Sequence, residues 1–358
     1  MNALLGLNKL INDCIEEGCF PGANYCLVIK DKVYYGSLGN KATIPSVESN
    51  DIDTLYDMAS VSKVLSTTSC ILKLLEEGKI RLHAKVSNYL PRYKHTNVTI
   101  FNLLTHTSGM QEGISKCTTL KNKEETLDRL YSYELNHETN TKISYSDLNY
   151  IMLGEIVELL SGMPLNEYAS KILFEPLEMK DTCYNPSDKE RCAPTEIRDD
   201  ETYRGLVRGA VHDETAYAMG GVAGHAGVFS TVKDMSHFIQ MILEKGKYKG
   251  KKIFSEATID RLFKVQVSMP NSLVEHYDRR GIGWIVNSQC SSAGDLTSYD
   301  DTILHTGFTG TNVWIDRKNQ VGFSMLTNRV HPTRKNIKHI DARARIANYI
   351  MAHLDEFE

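Results

Sequence analysis

The chain has 358 residues, a formal net charge of −4, 41% hydrophobic and 24% charged residues. That balance excludes a disordered tail, a collagen-like chain and a coiled coil, and it supplies no whole-chain basic field for nucleic acid. At roughly 150 residues per domain, the length fits two lobes or one large one.

The opening segment carries Leu4, Leu7, Leu10, Ile11, Cys14 and Ile15 at three- and four-residue intervals, which predicts an amphipathic helix stopping at Gly18. It has no basic segment followed by an apolar run and a small-residue cleavage site, so no secretory signal is expected. No apolar stretch approaches the roughly 20 residues of a membrane span. After Phe20-Pro21-Gly22, the runs ANYCLVIK and VYYGSLG flank Asp31-Lys32 and read as an antiparallel hairpin. A long helical pattern starts at Ser60 and ends near Gly78, with Val64, Leu65, Ile71, Leu74 and Leu75 apolar.

Helical patterns then dominate to about 185. The clearest runs from Asp147 to Leu160, with Leu148, Ile151, Met152, Ile156 and Leu159 on its expected stripe. Residues 186–230 are Gly-rich and polar and read as ordered loop. Thr231 with Asp234 predicts a capped helix through Ile242. The strand runs ILHTGFTG, TNVWID and QVGFSMLT follow, and a last helix is expected from about Arg334 to Leu354. Tightly connected hairpins favour antiparallel pairing. The expected fold is α+β: a discontinuous sheet domain from 1–78 and 225–358, a mostly helical inserted domain over 79–224, and an active site between them. The eight cysteines, Cys14, Cys19, Cys26, Cys70, Cys117, Cys183, Cys192 and Cys290, are scattered without CxxC pairs. Reduced thiols in the cytoplasm are expected, rather than a disulfide framework or structural zinc.

Three segments carry candidate chemistry. In Ser60-Val61-Ser62-Lys63, serine and lysine share one helical face, and helix-end N–H groups suit a developing oxyanion. A serine hydroxyl needs a base to become a nucleophile. The competing reading is a capping serine, and Ser230-Thr231-Val232-Lys233 repeats the pattern where capping explains it. Tyr145-Ser146-Asp147 precedes the strongest helix; a tyrosine beside a lysine can be a general base, or simply a packing residue. His305-Thr306-Gly307-Phe308 leaves an apolar strand: His305 could supply charge or a proton, Thr306 a hydrogen bond, and Gly307 close backbone approach.

In this order and spacing, the three segments resemble the serine β-lactamase and penicillin-binding-protein superfamily, in its class C-like branch. That branch shows S-x-x-K, then Y-x-N, then K-T-G or H-T-G, and includes β-lactamases, DD-peptidases, D-aminopeptidases and esterases. Further similar stretches are LLTHTSGM at 103–110, FEPLEMKDT at 174–182, GGVAGHAGVFS at 220–230 and LTNRVHP at 326–332. The resemblance implies Ser60 as acylated nucleophile, with Lys63 and Tyr145 sharing the proton as one unit. It implies an oxyanion hole from the N–H groups of Ser60 and Phe308, and substrate contacts from Asp147, Thr306 and Gly307. It also implies an antiparallel sheet flanked by helices beside an all-helical region. Two positions depart from the pattern. Asp147 replaces the usual asparagine and, ionised, cannot donate a hydrogen bond; His305 stands where many relatives have lysine.

His106 is expected to hold a turn. His212-Asp213-Glu214 and His225 lack the ligand pattern of a metal site, and Trp284 and Trp314 read as core or cleft wall. The expected activity is hydrolysis of a small ester, amide or β-lactam through a Ser60 acyl-enzyme, with no cofactor, metal, nucleic acid or membrane partner. The alternative is a penicillin-binding sensor acylated without turnover.

Overall fold

A computed structural model describes residues 3–270, 276–287 and 291–357; Cys290 lies outside them. The first helix, α1 (Ala3–Glu16), leads into β1 (Gly22–Ile29) and β2 (Lys32–Ala42), the expected hairpin. A short β3 (Glu48–Ser49) extends its edge. The other sheet strands come from the C-terminal third: β4 (Val267–Pro270), β5 (Tyr277–Arg280), β6 (Ile285–Val286), β7 (Thr302–Thr306), β8 (Asn312–Asp316) and β9 (Val321–Thr327). They form one nine-stranded sheet in the order β4-β5-β6-β7-β8-β9-β1-β2-β3, antiparallel throughout. The two ends of the chain meet where β9 pairs β1, Thr327 opposite Ala23 and Val321 opposite Ile29.

Period-two alternation gives the sheet two apolar faces. Tyr25 and Leu27 of β1, Trp314 of β8 and Phe323 of β9 point into a core shared with α1 and with α5 (His339–Ala352), which supply Leu7, Ile11, Ile346 and Ile350. Cys26, Val28, Ile303, Val313 and Ile315 point the other way, into a larger core. That core continues through α2 (Ser69–Glu76) and α4 (Val232–Leu243) into the helical region around α3 (Asp147–Ser161). Trp284 and Trp314 are both core residues.

Three expectations need correction. The helix from Ser60 is not uniform: a 3₁₀ turn at Ala59–Val61 and a π-helical stretch at Lys63–Thr68 precede α2. Leu159 is 57% exposed, because the α3 stripe turns away before its end. The last helix starts at His339, since Arg334 is held instead by Glu196 and Glu214. The cap on α4 is as expected, with the Thr231 side chain accepting the Asp234 amide. No helix among the described residues is long and apolar enough to cross a membrane.

Candidate active site

Ser60 sits on a turn held from both sides. Asp57 is buried; its Oδ1 accepts the Ala59 amide at 2.8 Å and its Oδ2 the His212 amide at 2.7 Å. Burial still pushes its carboxyl above the ordinary range. Ala59 has φ of 47°, a left-handed conformation costly for a residue with a Cβ. Thr309 and Thr311 donate their hydroxyls to the Asp57 and Met58 carbonyls at 2.7 and 2.9 Å, clamping this turn to the segment after β7.

One helical turn later, the Lys63 ammonium is fully buried. It donates to Ser60 Oγ at 2.8 Å and to the His225 carbonyl at 3.0 Å, and lies 2.7 Å from Asp147 Oδ1. Burial alone would lower its pKa, but Asp147 and then Tyr145 outweigh that and raise it above the usual lysine value. The Tyr145 ring lies 4.9 Å below the ammonium. Its own position is set by the turn around His106, whose φ is 58°. His106 Nδ1 accepts the Ser146 amide at 3.1 Å, its carbonyl accepts Ser144 N–H at 2.8 Å, and its ring lies 4.5 Å from that of Tyr145. His106 is thus a turn residue, as expected, and also the floor under Tyr145. Burial holds its imidazole well below the ordinary value. The geometry brings Ser60, Lys63, Tyr145 and Asp147 together from two distant stretches of chain.

The sequence matches the Beta-lactamase family over residues 7–348. The chain belongs to the β-lactamase family. Among its curated relatives, N-acetylmuramyl-L-alanine amidase of Bacillus subtilis is 33% identical over 91% of this chain and 80% of the relative. A protein of Salmonella typhimurium, provisionally named a D-alanyl-D-alanine carboxypeptidase, is 33% identical over 80% of this chain and 72% of its own. A hydrolase with promiscuous acyltransferase activity shares the fold at TM-score 0.79, 18% identity and 98% coverage of both chains. A class C β-lactamase from Rhodobacter sphaeroides does so at TM-score 0.74, 19% identity and 99% coverage of both. The protein is a β-lactamase-family serine hydrolase with the β-lactamase-like fold.

Two cavities meet at Ser60, Tyr145 and Phe308. The larger, about 490 Å³, is lined by Arg280, Arg329, Arg343, His305 and His339, with Thr306 and Gly307 but, among the described residues, no carboxylate. The smaller, about 240 Å³, is lined by Asp147, His212, Asp213, Glu214, His225 and Arg334. Phe308, 48% exposed, stacks on His212 and lies under Arg329 at the mouth.

His305 does not supply the positive charge considered for it. Burial, then Lys63 and Arg280, lower its pKa to about 3. Its Nδ1–H donates to the Thr306 carbonyl at 3.0 Å, leaving Nε2 as an acceptor without a partner among the described residues. The nearby cation is Arg280 of β5, its guanidinium 5.8 Å from the Tyr145 ring. No described carboxylate forms a salt bridge with Arg280, and no motif in the sequence marked it. His225 Nε2 meets Asp213 Oδ1 at 2.8 Å and His212 Nε2 meets Glu196 Oε2 at 3.0 Å, so these groups pair with each other at the wall of the site. Gly224 makes this possible: a Cβ there would lie 1.9 Å from the Tyr150 carbonyl and 3.0 Å from the Gly154 amide. A glycine lets the loop rest on α3 and bring the His225 carbonyl to Lys63.

Proposed function

We propose that the protein hydrolyses small amides whose leaving group is an amino acid or short peptide bearing a free carboxylate, through acylation of Ser60. The observation that carries this reading is the placing of Ser60 Oγ, hydrogen-bonded to Lys63, at the edge of a cavity with three arginines and, among the described residues, no carboxylate. Arg280 can take the leaving-group carboxylate there in a bidentate pair. The names of the relatives, an amidase and a carboxypeptidase, agree with an amide substrate of this type. They do not favour the sensor without turnover.

In this reading Lys63 is a fixed cation rather than the base. Its three donor directions face Ser60, Asp147 and the His225 carbonyl. Tyr145, its ring flanked by the cations Lys63 and Arg280, acts as the base: as the phenolate it takes the Ser60 proton and so becomes the phenol. The Ser60 oxygen adds to the carbonyl, the oxyanion is held by the N–H groups of Ser60 and Phe308, and the amine leaves with the proton from Tyr145. Water then repeats the sequence on the ester. Esters are accepted by the same machinery, and β-lactams poorly, because Asp147 offers no amide to the substrate. The buried cysteines are in keeping with a reducing, cytoplasmic setting.

The test is a dipeptide series, D-Ala-D-Ala against its C-terminal amide, with wild-type, Ser60→Ala and Arg280→Gln proteins. Wild-type should prefer the free acid, Arg280→Gln should lose that preference chiefly in KM, and Ser60→Ala should be inactive. Equal turnover of acid and amide by wild-type would sink the carboxylate reading.

A further inference from the structure

We infer that Arg343 is a positioning residue for the oxyanion hole, aiming the Phe308 N–H by holding the Gly307 carbonyl. This rests on the reading of Ser60 as the acylated residue. The segment 307–311 is docked directly on the residues before Ser60. Gly307 N–H donates to the Thr311 carbonyl at 2.7 Å, and a Cβ on Gly307 would lie 2.6 Å from the Met58 carbonyl and 3.3 Å from Ala59 Cβ. From α5, one Arg343 terminal nitrogen donates to the Gly307 carbonyl at 3.1 Å and to the Thr311 carbonyl at 2.9 Å. Arg329 Nε donates to the next carbonyl, that of Phe308, at 2.8 Å.

The 307–308 peptide is trans, hence planar, with its C=O and N–H pointing in opposite directions. A carbonyl fixed toward Arg343 therefore fixes the Phe308 N–H on the other side of the segment, away from α5. Rotation of this one peptide would take the donor out of the site without disturbing β7. Arg329, bound to the following carbonyl, resists that rotation from its other end.

Charge supports the assignment. Arg343 is 5% exposed, and no described carboxylate forms a salt bridge with it or with Arg329. Burial, then Arg329, lower its pKa to about 9. A neutral donor could staple two carbonyls without the cost of burying a charge. A guanidinium beside the peptide whose N–H meets the oxyanion adds a favourable field that matters only when negative charge develops.

The experiment compares wild-type with Arg343→Lys and Arg343→Ala on a p-nitrophenyl ester. It adds the infrared carbonyl stretch of the isotope-labelled acyl-enzyme and the affinity for a phenylboronic acid, which mimics the tetrahedral state. Arg343→Lys keeps a charge, but its ammonium stands one bond nearer the backbone than the nitrogen that donates to both carbonyls. Both variants should lose up to about 10²-fold in kcat with KM little changed. Boronate affinity should fall in parallel, and the acyl carbonyl should move to higher frequency as its polarisation is lost. Methylguanidinium should restore part of the kcat of Arg343→Ala. If the alanine variant does not fold, the lysine variant gives the same readings. An unshifted carbonyl and undiminished boronate affinity in acylated protein would overturn the inference, since a merely structural role predicts that result. Activity persisting in Ser60→Ala, or an acyl group on another residue, would instead overturn the underlying reading.

Discussion

Lys63 and Asp147 meet at 2.7 Å, the ammonium wholly buried and the carboxylate 31% exposed. Asp147 thereby neutralises a cation that could not otherwise be buried, and it does so where the pattern of similar proteins has an amide. Asp147→Asn should cost stability, about 1–3 kcal/mol, less than the roughly 3–5 of a fully buried pair because the carboxylate is partly solvated. The Lys63 pKa is raised in the folded state, so this stabilisation is complete below the unfolded lysine value near 10.4 and fades as pH rises through the folded one. Denaturation at pH 7 and above pH 10 should therefore show a gap between wild-type and variant that narrows in alkali. The same variant should hydrolyse nitrocefin several-fold faster relative to a p-nitrophenyl ester, since asparagine restores a donor. A ratio that stays put would separate Asp147 from β-lactam discrimination.

Tyr145→Phe removes the one hydroxyl assigned to carry the proton, and leaves the ring on His106 and under Lys63. The expected loss is about 10²–10⁴-fold in kcat/KM, with thermal stability close to wild-type. Steady-state kinetics on an ester together with a melting curve decide it. Wild-type rates from the phenylalanine protein would return the role of base to Lys63.

Much of this site was legible as short-range spacing. Serine and lysine three apart, the tyrosine before the helix at 147, and the H-T-G after an apolar strand each stand in contiguous sequence, and the fold brings them together. Arg280 was not legible. It lies on β5 without a motif, and its importance arises only because β5 and β7, joined through β6, place it beside His305. His305 illustrates the opposite failure. Its identity was readable, but its charge depends on burial and on Lys63 and Arg280, which no spacing reveals. The hairpin β1–β2 and the strands at 302–327 follow from alternation. The π-helical stretch at Lys63–Thr68 does not, since apolar periodicity barely separates it from an α-helix.

His305 and His339 make the cavity wall sensitive to acid. Burial is the main reason both have a pKa of about 3, with Lys63 and Arg280 adding to it at His305, and Arg343 and Arg329 at His339. The unfolded imidazoles take up protons below about 6.5 while the folded ones stay neutral. Stability should therefore fall as pH drops from about 6.5 toward 3, by up to about 1.4 kcal/mol per pH unit for each histidine. Urea midpoints at pH 7, 5 and 4 should decline, and His339→Gln should flatten that decline by about half of the share carried by the two rings. By the same logic, the rate profile between pH 5 and 8 should carry no inflection that His305→Gln removes.

Gly224→Ala tests the contact that supplies the third acceptor of Lys63. The added methyl would fall 1.9 Å from the Tyr150 carbonyl and within 3.1 Å of backbone in α3 at Gly154, so the loop must lift. Neither obstacle is a flexible side chain. Overpacking of this kind costs about 1–3 kcal/mol, but lifting also withdraws the His225 carbonyl from Lys63 and the Asp213–His225 pair from the cavity wall. Activity should therefore fall by more than the unfolded fraction explains. Active-site titration with an acylating ester measures the competent fraction, and turnover per competent site should drop at least tenfold. Full turnover per titrated site, with only the melting temperature lowered, would show that the loop braces the fold without setting the position of Lys63.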